Sequence, residues 1–417
     1  KRQLFRLSER RFGNWKVALL TASFLVLTPR IFAESFYNSK DLIFLAVFAI
    51  ATNTAVNFLL RPNLSNAVLL SLATAIAIDV RSMAIILPMY VLTFLLLKLK
   101  KREVGYRQVL LFGGLYLLFT WVGVIVFWPW LWSSPWHHFI EAISAFSRWV
   151  RSDVFMLYYG DIIRSLDLPW HYVPTWILIT TPPLYILFWF VGAIGIFKRA
   201  LSNKFQLWVN EEEFQDIFFA ALFFGPILAI ILLHSVIYDG WRHLYFIYPA
   251  FLLIVTKGIL DLWHFFKGQI WKQCVLVLLL IGSMMSTAFW MWSAHPYQNV
   301  YFNFLLGNNW KDKFDLDYWG LSNRRALEMI ISSDSRPLIK VRAGSNSPVY
   351  HSLKSLAPLD RNRIQIIVDE READYIVLNY RGKTVDDRFL DDNFQLKDVI
   401  LVNHEPILEL WKRKAAQ

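Results

Sequence analysis

Apolar runs long enough, or nearly long enough, to cross the roughly 30 Å hydrocarbon core of a bilayer recur along the first three-quarters of the chain. They occupy residues 15–28, 42–60, 108–128, 174–197, 217–235, 243–263 and 273–292. The first is short and is extended by its flanks. A further stretch, 66–97, is too long for one helix and is interrupted by Asp79-Val80-Arg81-Ser82, so it reads as two short helices meeting at a polar break. The pattern predicts about nine membrane segments in an all-α polytopic bundle.

Composition supports this: 56% of the 417 residues are apolar, 17% are aromatic and only 18% are charged. A soluble globule of this length carries more charge. The net charge of +11 raises nucleic acid as a partner. The cations, however, crowd short loops between apolar runs, the signature of membrane topology, and no nucleic-acid partner is expected. The lone Cys274 lies inside an apolar run and excludes a disulfide framework. It is expected to pack in the interior.

The same cations orient the bundle. Lys98, Lys100, Lys101, Arg102 and Arg107 crowd one connection; Lys1, Arg2, Arg6, Arg10, Arg11 and Lys16 crowd the N-terminal segment. Lys198, Arg199 and Lys204 mark a third connection, and Lys267 and Lys272 a fourth. Nine alternating crossings put all four on one side, cytoplasmic by the positive-inside bias. Residues 29–41, the Asp79–Arg81 break, 129–173, 236–242 and everything after 293 then face outward. The expected location is a cell inner or plasma membrane, with domains at 1–292 (transmembrane) and 293–417 (extracytoplasmic).

The outward loop 129–173 opens on WPWLWSSPWHH, a Trp-rich run suited to lipid headgroups. Phe139, Ile143, Phe146, Trp149 and Val150 follow at helical spacing. They predict an amphipathic helix, either lying on the membrane surface or packed on the bundle. Beyond His295, apolar strands at Leu338–Val341, Ile364–Val368, Tyr375–Asn379 and Ile407–Trp411 alternate with helices at Asn323–Ser332 and Ser347–Ser355. The sequence thus predicts a small α/β domain.

Two charged patches sit between apolar runs. Val236–Phe251 (VIYDGWRHLYFIYPAF) carries Asp239, Arg242 and His243, and Pro29–Asp41 (PRIFAESFYNSKD) carries Arg30, Glu34, Lys40 and Asp41. An ionisable group at a membrane helix centre costs roughly 2.5–3.5 kcal/mol, so such residues pair, face water or serve a site. Arg242 with His243 suits phosphate oxygens, and Tyr238 and Asp239 are placed to orient the arginine. Pairing of Arg242 with Asp239 alone is the competing account. Arg81, Lys40 and Arg30 supply further cations on the same side. Asp41 either caps the helix it opens or, with Glu34, forms an acidic pair supporting sugar chemistry.

PRIFAESFYNSKD, the IDVRS break and YDGWRHLYFIYPAF resemble the integral membrane glycosyltransferases of the GT-C fold. Within that fold the chain resembles the bacterial relatives of dolichyl-phosphate-mannose protein mannosyltransferases and of lipid A aminoarabinose transferases. HPYQNVYFN, DYWGLSNRRAL and EADYIVLNYR resemble the tail of further bacterial members. The resemblance spans nearly the whole chain. It implies transfer, with inversion, of a sugar from a polyprenyl-phosphate donor to a glycan, lipid or protein acceptor at the extracytoplasmic face. Arg242, His243, Arg81, Lys40 and Arg30 are then expected to bind the donor phosphate. Trp15–Thr28 matches the family's third helix, and Glu34 and Asp41 match its second, supporting acidic loop. The family's principal base lies in an earlier loop, so it is expected upstream of Lys1. With Lys rather than Met at position 1, the chain is expected to be a fragment.

These residues point to no certain cofactor, and the metal requirement stays open. A divalent-metal site could be assembled from His137, His138, His171, Asp153, Asp161 and Asp167, although their spacing matches no ligand motif. Two other functions fit parts of the pattern: a polytopic transporter, because polar helix breaks hold transported substrates, and a non-catalytic polyprenyl-phosphate-binding protein. Against a transporter, the ionisable residues gather at one face and no half of the chain is repeated.

Overall fold

The computed structural model describes residues 1–147, 153–202, 206–347, 349–382, 384–385 and 387–414. Trp149, Val150, Lys204 and Gln417, and the side chain of Phe146, lie outside what is described. The chain divides into two compact units. The first gathers Lys1–Ser152, Val173–Val236 and Trp241–Ala288; the second gathers Asp153–Tyr172, Ile237–Gly240 and Phe289–Gln417.

Among the described residues, seven helices are long and apolar enough to cross a membrane: Asp41–Leu60, Ser82–Lys100, Tyr106–Phe127, Pro183–Ser202, Glu211–Leu233, Arg242–Phe265 and Ile270–Ser293. Two shorter apolar helices, Trp15–Val26 and Leu64–Val80, accompany them. Asparagine starts three of the nine. The side chains of Asn14, Asn63 and Asn210 accept the N–H of Lys16, Asn66 and Glu213 at 2.8–2.9 Å, meeting donors that have no partner within the helix.

The polar break predicted at Asp79–Ser82 is present. Leu64–Val80 ends, Arg81 is extended (φ −153°, ψ 124°), and a 3-10 turn, Ser82–Ile85, leads into Ile86–Lys100. The run read as one helix over 174–197 is instead two, Tyr172–Thr180 and Pro183–Ser202. Thr181 and Pro182 precede Pro182 and Pro183, a context that disfavours helical backbone, and each proline lacks an N–H. Cys274, expected inside, is exposed. Its helix turns Leu278, Leu279, Met285 and Phe289 outward as well, as lipid contact requires.

Helices Pro183–Ser202 and Tyr248–Phe265 meet without intervening side chains. A Cβ added at Gly192 would fall 2.1 Å from the Ile254 carbonyl oxygen, and one at Gly258 would fall 2.0 Å from that of Phe188. Glycine permits this approach, the usual device for packing helices in lipid.

The second unit contains an antiparallel hairpin, β1 (Phe155–Tyr158) and β2 (Asp161–Arg164). It also holds a five-stranded sheet of β3 (Ile339–Ala343), β4 (Ile364–Ile367), β5 (Tyr375–Leu378), β6 (Phe394–Val402) and β7 (Glu405–Arg413), in the order β4-β3-β5-β7-β6. β4, β3 and β5 are parallel, and β7 and β6 join antiparallel. Ala373, Ile376, Leu378, Val385, Leu390 and Phe394 form a buried core on this sheet. Four of the five strands and the helix Leu321–Ser333 lie where the succession of short apolar runs and polar helical stretches predicts them. The sequence reading assigns no strand to 394–402, where a bulge between Leu396 and Asp398 breaks the period of two.

Candidate functional site

The two charged patches meet in the first unit. Asp41 opens its helix, Arg81 stands at the helix break, and Arg242 opens the 3-10 turn Arg242–Ile247. These three positions, distant in sequence, converge on one carboxylate. Arg242 Nη1 donates to Asp41 Oδ2 at 2.9 Å, and Arg81 Nη2 pairs with Asp41 Oδ1. Asp41 is 1% exposed and Arg242 9%.

Asn38 joins this pair to Glu34. Its amide nitrogen donates to Glu34 Oε2 at 2.6 Å and to Asp41 Oδ2 at 2.8 Å. Its amide oxygen accepts the N–H of Asp41 at 2.9 Å and of Lys40 at 3.3 Å, so the turn that starts the helix also fixes both carboxylates. Tyr245, one turn beyond Arg242, donates its hydroxyl to Glu34 Oε1 at 2.8 Å. Burial pushes the Glu34 carboxyl above its ordinary range, although Asn38, Tyr245, Arg242 and Arg30 favour its charged form.

The remaining predicted residues divide. The Arg30 guanidinium stacks over the Trp176 ring at 5.2 Å, and it acts electrostatically on Glu34. His243 is half-buried beside Arg242 on the same turn, and Lys40 is exposed at the helix start. Tyr238 and Asp239 belong to the second unit. There Asp239 takes a left-handed backbone (φ 55°), and the neighbouring Gly240 N–H donates to the Tyr172 hydroxyl at 3.1 Å. The cluster of the first unit therefore holds three guanidinium groups, Arg30, Arg81 and Arg242, around two carboxylates, Glu34 and Asp41. It carries an excess of positive charge in a largely buried setting, where an anion is attracted more strongly than in water.

A cavity of 460 Å³ adjoins the acidic turn. Leu25, Phe32, Phe36, Leu42 and Ile43 form its apolar wall, and Tyr37, Asn38 and Ser39 line its polar end. Sequence reasoning treated Asn38 only as part of a turn and passed over Tyr245. The spacing of Asn38, four residues after Glu34 and three before Asp41, was the available signal. Tyr245 had none beyond its position in an aromatic run.

Among the described residues, no three His, Cys, Asp or Glu side chains converge to hold a metal ion. His138 Nδ1 instead lies 2.7 Å from the Trp130 carbonyl oxygen, and His171 Nδ1 lies 2.7 Å from the Tyr158 hydroxyl. No family model matches this chain, and no curated protein matches it.

Proposed function

We propose that the chain is an integral membrane glycosyltransferase of the GT-C type, with nine membrane segments and the C-terminal α/β unit on the extracytoplasmic side. In this reading it transfers a sugar from a polyprenyl-phosphate donor, with inversion, to an acceptor hydroxyl outside the cell. The observation that carries the reading is the guanidinium pair on Asp41. Two arginines from different elements converge on one buried carboxylate, so with Arg30 the cluster holds more cations than carboxylates, a setting that attracts a second anion. Arg30 and His243 add positive character and a further donor.

The chemistry needs this arrangement. As the acceptor oxygen bonds to the anomeric carbon, the bond from that carbon to the phosphate oxygen breaks and the lipid phosphate gains charge. Fixed cations lower the barrier to that step. The proton of the acceptor hydroxyl passes to a carboxylate base. The resemblance gives that role to an acidic loop other than the one bearing Glu34 and Asp41. An Asp shared by two arginines acts as an organiser of cations, and Glu34 supports it through Asn38. The apolar cavity beside Asn38 suits the first isoprene units of the donor.

The deciding experiment measures binding of a polyprenyl phosphate to the purified protein in detergent, for wild type and Arg242→Ala. Asp41 keeps Arg81 in that variant, so the bundle should remain folded while binding falls about 100-fold or more, the scale for losing a charge-stabilising donor. Unchanged affinity in a folded variant removes Arg242 from the site and the donor assignment with it.

A further inference from the structure

A second pocket of the first unit lies at the opposite end of the Asp41–Leu60 helix, about 30 Å from Asp41 by helix length. Its volume is 600 Å³, and Arg61, Asn63, Lys98, Glu103, Gln108, Trp208, Asn210 and Glu211 line it. It is set among helix ends: the last residues of Asp41–Leu60 and Ser82–Lys100 and the first residues of Tyr106–Phe127 and Glu211–Leu233. A pocket among the ends of apolar helices of crossing length opens at the level of lipid headgroups.

The pocket is built around a buried ammonium. Lys98 is 6% exposed; its Nζ lies 3.0 Å from Glu103 Oε2 and 4.5 Å from the Phe214 ring centroid. Lys101 reaches the other oxygen of Glu103 at 3.2 Å and covers the Trp208 ring at 4.5 Å. The Trp208 indole N–H donates to Glu103 Oε1 at 2.7 Å. Burial disfavours the charged form of Glu103, but Lys98, Trp208 and Lys101 together hold its carboxyl below the usual range. Arg61 and Lys98 line the pocket with Glu103 and Glu211; Lys101, outside the lining, adds a third cation through its pairing with Glu103, while the nearby Glu213 is paired with Arg199. One further negative charge brings this set to neutrality.

Burying a lysine in the last turn of a membrane helix is costly, and a snorkelling side chain in water would serve topology equally well. The neighbouring surface is apolar and exposed at Leu64, Tyr106, Leu110, Leu111 and Val209, a surface suited to acyl chains. We propose that this pocket holds the headgroup of an anionic phospholipid, its phosphodiester between Arg61 and Lys98. Basic pockets between membrane helices recognise lipids in this way. The site is independent of the donor cluster.

The test uses the full chain in detergent, with native mass spectrometry after addition of phosphatidylglycerol or phosphatidylcholine of matched acyl chains. Retention of phosphatidylglycerol over phosphatidylcholine is expected, falling about fivefold for each cation removed, in Arg61→Gln and in Lys98→Gln. Arg61 is exposed, so its variant should keep the elution profile of the wild type even if the Lys98 variant does not fold. Equal retention of the two lipids overturns the proposal, as does an unchanged preference in Arg61→Gln. Displacement of the lipid by millimolar glycerol phosphate would assign the pocket to a soluble phosphate and overturn the lipid reading too.

Discussion

Asp41 neutralises two arginines, so its removal is expected to cost more than removal of either partner. Asp41→Asn keeps the shape but leaves Arg81 and Arg242 facing one another in a largely buried site. Breaking such a pair from one side costs about 3 kcal/mol or more, and a lowered melting temperature in detergent is expected. A variant as stable as wild type would mean that the guanidinium groups are compensated elsewhere. Glu34 makes a different prediction. Its carboxyl is raised by burial, so the folded chain holds that proton more tightly than the unfolded chain. Stability contributed by the protonated form is present at and below the ordinary glutamate value of 4.5 and is lost as pH rises through the folded value. Melting temperature should therefore decline more steeply above pH 4.5 in wild type than in Glu34→Gln, and matching slopes would remove Glu34 as the source.

At the scale of elements, much of the first unit was legible because each helix declares itself locally. Runs of apolar residues mark the spans, and the Asp79–Ser82 break shows as charge in the middle of an apolar stretch. What escaped reading depended on distant partners or on single local disruptions. The Pro182-Pro183 break was hidden by the apolar residues around it, and β6 by the bulge at Leu396 and Asp398. The site was legible in its parts, as two patches, but the pairing of Arg242 with Asp41 spans 201 residues and no periodicity encodes it. Likewise Gly192 and Gly258 look unremarkable in sequence and are required by backbone contact. Gly258→Ala is expected to destabilise the chain by about 1–3 kcal/mol or to prevent folding, since the methyl group has no rotamer with which to escape. Thermal unfolding of that variant beside Gly282→Ala, where a Cβ meets nothing within 4 Å, separates packing from helix propensity.

For the whole molecule, the sidedness read from basic loops can be tested directly. A cysteine at Asn403, in the connection between β6 and β7, placed in a Cys274→Ser background, should react with a membrane-impermeant maleimide on intact cells. Labelling only after lysis would reverse the orientation and move the proposed transfer reaction to the cytoplasmic side. The outcome also bears on the second unit, which gathers three separate stretches of chain. Truncation after Ala288 would remove most of that unit while leaving 153–172 and 237–240 without their partners, so loss of function in such a variant says little about catalysis.

The contact between Gly192 and Gly258 has a mechanical consequence. Where two helices touch backbone to backbone, there is no side chain between them to rearrange, so they neither slide nor separate by small steps. The turn bearing Arg242 runs directly into the second of these helices at Tyr248 and inherits its immobility. The pair is expected to hold that guanidinium in place, so under the proposed function the opening that admits a ligand is expected on the Asp41 and Arg81 side of the cluster.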